Sequence, residues 1–110
     1  MTADIIYSIG AERIRQDEKH PKLPRYILHP TDDPRPSQFE FSKETQQKIN
    51  DDREKEGEHS WYGIMNEEDA EIFSAETIEE LDAELVQSIA LRVRMLEQVR
   101  AGLVTIKAKQ

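Results

Sequence analysis

The stretch that decides the fold runs from Ser60 to Gly102 and reads SWYGIMNEEDAEIFSAETIEELDAELVQSIALRVRMLEQVRAG. Its first residue is a serine, a residue type that commonly caps the N-terminus of a helix. Apolar residues then recur at the spacing of an amphipathic helix up to about Ala75. We therefore predict a helix over about 60–75.

A second helix is predicted almost immediately afterwards. Thr77 and Glu80 have the Thr-x-x-Glu spacing of a capping box, in which a hydroxyl and a carboxylate satisfy backbone N–H groups at a helix start. An apolar stripe continues from Leu81 to Val99, and Gly102 is typical of the position just beyond a helix end. This helix, over about 77–101, forms a helical hairpin with the first.

The N-terminal half contains a further helix and a long insert. Isoleucines at near-helical spacing predict a helix over Ala3–Lys19, which should end by Pro21 because a residue that precedes proline avoids the α conformation. An insert at about 20–57 carries all five prolines in its first part. Its second part begins with Ser42 as a predicted N-cap and is almost wholly polar, which is typical of an exposed or partly ordered helix.

These elements predict an all-α protein with a single domain over 1–110, in which the N-terminal helix packs across the hairpin. Three helices of this length bury little apolar surface, so we expect a homodimer or homotetramer that completes a helical bundle. The insert could be a lid, a contact for a protein partner or an oligomer contact. The tail at 103–110 could be a short strand, a swapped segment or a frayed end.

The charge of the chain is concentrated in one segment. The 110 residues include 15 basic and 23 acidic ones, a net charge of −8, and residues 56–91 hold 11 of the acids and no Lys or Arg. This excess argues against broad binding to nucleic-acid backbones. The absence of cysteine excludes disulfides, thiolate zinc sites and thiol nucleophiles. No apolar run approaches the ~20 residues of a membrane span, and no secretory signal pattern is present, so we expect a cytoplasmic protein.

Within the acidic segment, one carboxylate stands where an apolar residue is expected. Glu67 and Glu68 both face Glu71 one turn later on the first hairpin helix. Glu68 is also four residues from both Ile64 and Ile72, which places it on the apolar face, at the interior or its edge. Like charges grouped there are unfavourable unless something neutralises them.

The second hairpin helix offers further oxygen ligands. Glu84 and Gln87 are one turn apart, and Glu84 lies at the core margin beside Leu85. A Mg²⁺ ion prefers hard oxygen ligands, so glutamates from both helices that face one gap would form a sensible cation site. An ion there could hold a polyphosphate, polarise the phosphorus under attack or activate a water. The simpler alternative is that these acids form solvated helix faces.

Three segments of the chain resemble the MazG-like nucleoside triphosphate pyrophosphatases, and in particular a small phage and bacterial branch of that family. Glu67–Glu71 matches the family's Glu-Glu-x-x-Glu, and Glu84–Gln87 corresponds to its Glu-x-x-Asp on the next helix. Glu12–Lys19 is similar to the Glu-Arg-x-Arg-Gln-x-Glu-Lys segment of the small branch, and Trp61 stands where that branch has a tryptophan.

The resemblance implies an oligomeric, Mg²⁺- or Mn²⁺-dependent enzyme in a bacterial or phage-infected cell. Such an enzyme cleaves an NTP or dNTP between the α- and β-phosphates, which gives the monophosphate and pyrophosphate. Carried over by position, the metal ligands would be Glu67, Glu68, Glu71, Glu84 and Gln87. Glu68 and Glu71 would be catalytic, and Arg13, Arg15 and Lys19 would contact phosphates, unless they are solvated charges. Trp61 would stack on a base, or belong to the core.

Two departures from the family pattern keep other functions open. Gln87 replaces the family's Asp with a neutral ligand, which favours a non-catalytic protein that binds and sequesters a nucleotide. The insert at 20–57 has no counterpart in the family's core motif. Together with the net charge, it favours an acidic interaction protein, such as a phage-type inhibitor that docks on a basic partner.

Overall fold

A computed structural model describes residues 2–28, 30–31 and 36–106, with the backbone alone for 36–41. Within those residues the chain forms four α-helices and no β-strand, so the predicted all-α class is confirmed. The helices are α1 (Ala3–Lys19), α2 (Pro36–Lys55), α3 (Trp61–Ser74) and α4 (Ile78–Arg100). Residues 107–110 of the predicted tail lie outside the described residues, and 103–106 are neither helix nor strand.

The helix starts follow the local signals in the sequence. The Ser60 hydroxyl accepts a hydrogen bond from Gly63 N at 3.1 Å and caps α3. The Thr77 hydroxyl accepts from Glu80 N at 3.1 Å, and the Glu80 carboxylate accepts from Glu76 N at 3.1 Å. The Thr77 cap of the predicted capping box is thus confirmed. The Glu80 carboxylate binds the N–H of Glu76, one residue before the N–H of Thr77 that it usually binds in this motif. These bonds satisfy N–H groups that have no partner inside the helix.

Two glycines end helices in a left-handed conformation. Gly57 has φ 71° and Gly102 has φ 72°, values that a side chain would strain. After α2, Glu58 N donates to Arg53 O at 2.8 Å, and after α4, Leu103 N donates to Gln98 O at 3.0 Å. This Schellman pattern satisfies the last carbonyls of each helix, and it confirms the predicted end at Gly102.

The start of α2 differs from its prediction. Ser42 was the predicted N-cap, but the helix begins at Pro36. Proline suits the first helical position because its φ is already helical and its missing N–H would have no intrahelical partner there. Part of the insert is therefore a regular helix of 20 residues rather than a loose connection.

The chain divides into two compact units, which are described separately. One unit comprises residues 1–26 and 91–110, and the other comprises 27–90. In the first unit, Ile5 is buried and Arg100 Nη2 donates to the Ser8 hydroxyl at 3.1 Å. In the second unit, α2 packs against α3, and α4 follows α3 after three residues.

The contact between α2 and α3 depends on a glycine and a buried amide. Asn50 is 7% exposed, and its Nδ2 donates to Gly63 O at 3.0 Å. A Cβ at position 63 would clash with Asn50 Oδ1, so only glycine allows this approach. A buried side-chain amide therefore joins α2 to the backbone of α3.

Few large apolar side chains are buried within the described residues. Ile5 and Ala70 are the buried apolar residues there, whereas Ile6, Ile14 and Ile89 remain more than half exposed. Oligomerisation, which would cover such residues, stays a prediction. Among the described helices, none is both long and apolar enough to cross a membrane.

Candidate metal centre

Three glutamates from α3 and α4 converge in the second unit. Glu68 and Glu71 lie one turn apart on α3, and Glu84 lies two turns into α4. One carboxylate oxygen of each residue lies within 4.8 Å of the corresponding oxygens of the other two. Because Glu71 and Glu84 are thirteen positions apart in sequence, this approach requires α3 and α4 to fold back on each other, as a helical hairpin does. We refer to Glu68, Glu71 and Glu84 as the carboxylate cluster.

The cluster is partly withdrawn from solvent. Glu68 is 8% exposed, as its position on the apolar face of α3 predicts, and the other two members are half-buried. Glu84 Oε2 is buried and has no hydrogen-bond partner among the described residues. A buried carboxylate oxygen without a partner is costly, so this atom indicates a position where a proton donor or a cation would be favourable.

The crowding of carboxylates changes the acidity of Glu71. Burial, a hydrogen bond with Glu84 and the nearby charges of Glu68, Glu84 and Glu67 raise the pKa of Glu71 to about 8. Desolvation is the largest of these causes, and each of them disfavours the ionised form. Glu71 is consequently protonated at neutral pH and hydrogen-bonded to Glu84. A divalent cation could take the place of that proton and reduce the repulsion.

The donor set of the cluster fits a hard divalent cation. Its three members are carboxylates, which Mg²⁺ and Mn²⁺ prefer over nitrogen or sulfur ligands. Mg²⁺ usually keeps several waters or binds substrate phosphates in addition to a few carboxylates, so three protein ligands are a reasonable number. The partnerless Glu84 Oε2 adds an acceptor with no competing donor among the described residues.

Glu67, a further predicted ligand, is held by the insert. Asn50 Nδ2 in α2 donates to Glu67 Oε2 at 2.9 Å, and Gln46 Nε2 donates to Asn50 Oδ1 at 3.0 Å. Glu67 is close enough to raise the pKa of Glu71 electrostatically. It therefore borders the cluster while its carboxylate is oriented by α2.

The other predicted site residues have separate positions. Gln87 is exposed and follows Glu84 by three residues on α4, and Trp61 is half-buried in the first turn of α3. Arg13 pairs with Asp17 at 2.9 Å. Their roles in binding metal, base or phosphate stay predictions.

Arg15 also has a partner on its own helix, and Lys19 lies in the last turn of α1. Arg15 Nε donates to Glu12 Oε2 at 2.8 Å, and this bond holds the pKa of Glu12 below its usual value. Lys19 is exposed. The basic residues of α1 belong to the first unit, whereas the carboxylate cluster belongs to the second.

A cavity beside the cluster includes residues that sequence reasoning missed. It has a volume of about 420 Å³, and Glu71 and Glu84 form part of its wall. Lys43 and Gln47 of α2 also line it. With Asn50, they occupy one face of α2 at spacings of four and three residues. That periodicity was present in the sequence, but it is a periodicity of polar residues, which does not distinguish a packed face from a solvated one.

Neither family models, curated proteins nor solved structures match this chain.

Proposed function

We propose that this protein is a Mg²⁺-dependent nucleotide pyrophosphohydrolase that cleaves an NTP or dNTP to the monophosphate and pyrophosphate. The observation that carries the proposal is the convergence of Glu68, Glu71 and Glu84 within 4.8 Å. Their partial burial and the cavity beside them support a bound cation and a small ligand in contact with it. The reaction class itself comes from the resemblance described above.

In this proposal, Glu68, Glu71 and Glu84 hold the cation, with Glu67 and Gln87 as additional ligands. Mg²⁺ or Mn²⁺ would supply a positive charge that binds phosphate oxygens and stabilises the charge that develops on them. Glu71 must lose its proton to become a ligand, and its raised pKa means that this loss lowers metal affinity below about pH 8. Water supplies the oxygen that bonds to the α-phosphorus, the α–β anhydride bond breaks and pyrophosphate leaves.

Other residues are assigned to the substrate. Arg13, Arg15 and Lys19 would contact phosphate oxygens, for which guanidinium and ammonium groups are suited. Trp61 would stack on the base. Because Arg13 and Arg15 pair with acids of their own helix, binding of phosphate would have to replace those ion pairs.

The second candidate function is nucleotide binding without hydrolysis, and Gln87 favours it. An amide oxygen can ligate Mg²⁺, but it carries no charge, so the site should bind the cation less tightly than one with Asp there. A protein of this kind would sequester a nucleotide and release no product.

We also propose that the chain acts as a homo-oligomer. Tyr7 and Ile14 of α1 and Val86 and Ile89 of α4 are at least 60% exposed. Exposed apolar residues of this kind are commonly covered by a partner subunit. Sedimentation would show a dimer or tetramer if this is correct, and a monomer at micromolar concentration would contradict it.

A screen for pyrophosphate release tests the enzymatic proposal. Wild type, Glu68→Gln and the control Asp82→Asn would be assayed in parallel for pyrophosphate release from each NTP and dNTP in the presence of Mg²⁺. Asp82 is an exposed acid of α4 outside the cluster, so its variant makes the same chemical change elsewhere. We expect turnover by wild type and Asp82→Asn and at least a hundredfold loss in Glu68→Gln. Mg²⁺-dependent nucleotide binding without product would favour sequestration, and equal rates in the two variants would exclude the cluster from catalysis.

A further inference from the structure

The cavity beside the carboxylate cluster has a wall that the acids do not form. Of its described lining residues, Glu71 and Ser74 belong to α3, and Glu80 and Glu84 belong to α4. Lys43 and Gln47 of α2, a helix of the insert, also line it. Its volume of about 420 Å³ lies within the range of small-molecule sites.

The cavity is lined by acids and one basic residue. Its described lining includes the carboxylates of Glu71, Glu76, Glu80 and Glu84, and Lys43 is the sole cation among these lining residues. A cation held by Glu71 and Glu84 would give the cavity a second positive centre in addition to the Lys43 ammonium. A ligand that satisfies both must present several anionic oxygens along its length, as a chain of phosphates does.

We propose that Lys43 is a phosphate-binding residue of this site, which receives the polyphosphate between the cation and the face of α2. Gln47, one turn later, donates its side-chain amide to the same group. This inference rests on the proposed function for the cation and extends it, because it assigns substrate contact to a helix of the insert. It also gives the second unit a phosphate contact independent of Arg13, Arg15 and Lys19.

A different role for Lys43 makes a different prediction. A lysine that only offsets the charge of the carboxylates would compete with the cation, so its removal would strengthen metal binding and leave phosphate affinity almost unchanged. If Lys43 binds phosphate, its removal instead weakens the affinity for the anion at saturating metal. The two roles are therefore separable by titrating the metal and the anion in turn.

The experiment uses inorganic pyrophosphate as the probe, titrated calorimetrically into the full chain at saturating Mg²⁺. Lys43→Met is compared with Lys48→Met, which removes the same charge from an exposed position of α2 outside the cavity. We expect Lys43→Met to lose on the order of tenfold to hundredfold in affinity, the range for a hydrogen bond to a charged group, and Lys48→Met to match wild type. Lys43→Arg, which keeps the charge, should retain most of the affinity.

Each outcome of this titration decides the inference. Equal affinities in Lys43→Met and Lys48→Met, or no binding of pyrophosphate by wild type, would overturn it. If Lys43→Met fails to fold by circular dichroism, Lys43→Gln replaces it, and unchanged affinity there is equally contradictory. Lys43-dependent binding without NTP cleavage would sustain the inference and refute the enzymatic proposal.

Discussion

Asn50 in α2 donates a hydrogen bond from Nδ2 to Oε2 of Glu67 in α3, over a distance of 2.9 Å. The same nitrogen donates to Gly63 O at 3.0 Å, and Asn50 is almost fully buried. One side chain thus joins the insert to the helix that bears two members of the carboxylate cluster. It fixes the helix contact and also the orientation of a predicted metal ligand.

Asn50→Ala should therefore destabilise the protein and alter the cation site. The variant leaves the Glu67 carboxylate and the Gly63 carbonyl without this donor, at a cost of about 1–3 kcal/mol in the free energy of unfolding. Urea unfolding measures the loss, with the exposed Thr45→Ala as a control on the same helix. A loss no larger than that of Thr45→Ala would contradict the structural role of Asn50.

Two glycine substitutions should have opposite effects on stability. In Gly63→Ala the new Cβ meets Asn50 Oδ1, so the variant should be destabilised by at least about 1 kcal/mol. Gly10 lies inside α1 and a Cβ there meets no atom within 4 Å, so Gly10→Ala should be stabilised by about 0.5–1 kcal/mol. Thermal unfolding of both variants measures the difference, and a Gly63→Ala that is as stable as Gly10→Ala would refute the close packing of α2 on α3.

The stability of the metal-free protein should depend on the titration of Glu71. Its pKa is raised to about 8 in the folded chain from 4.5 in the unfolded chain, so the folded state binds more protons between these values. The stabilisation from the protonated form is complete below about pH 4.5 and is lost as the pH rises through about 8. Glu71→Gln should remove this contribution, and urea unfolding from pH 5 to 9 compares the two proteins. Identical pH profiles would contradict the assignment.

The same proton predicts how metal affinity varies with pH. Binding of Mg²⁺ at the cluster should release the proton of Glu71, so affinity should rise about tenfold per pH unit up to about pH 8 and then level off. The increase in melting temperature on addition of Mg²⁺ should consequently be larger at pH 8.5 than at pH 6. Calorimetry in two buffers of different ionisation enthalpy detects the released proton, and a binding enthalpy that is independent of the buffer would refute its release.

Gln87→Asp should strengthen cation binding. The substitution restores a charged ligand at the position where the resembled family has Asp, and affinity for hard cations rises with the ligand charge. We expect at least a severalfold lower dissociation constant for Mg²⁺, with Gln98→Asp as a control that adds the same charge to an exposed position of α4. If both variants change the affinity equally, Gln87 is not a ligand.

How much of this structure the sequence predicts depends on the range of the interactions involved. The caps at Ser60 and Thr77 and the helix end at Gly102 act within one turn, and all three are as predicted. The burial of Glu68 also follows from its place in a stripe of helical period. Local signals and periodicity were sufficient for α3 and α4.

The role of α2 was not predictable in the same way. Its described contacts with α3 include the hydrogen bond from Asn50 to Gly63, and Lys43 and Gln47 line the cavity. These three residues of α2 are polar and form no apolar pattern. A polar helix face that packs has the same composition as one that is solvated. Only the position of α3 distinguishes the two cases, and that position is a property of the tertiary structure.

We propose that Glu68, Glu71 and Glu84 together hold one divalent cation. Titration of Mn²⁺ at pH 8.5, followed by the paramagnetic resonance signal of the free ion, tests this proposal on wild type, Glu84→Gln and the control Asp82→Asn. We expect one ion per chain for wild type and Asp82→Asn, and at least a tenfold weaker affinity in Glu84→Gln. Equal binding by all three proteins, or none by the wild type at millimolar Mn²⁺, would contradict it.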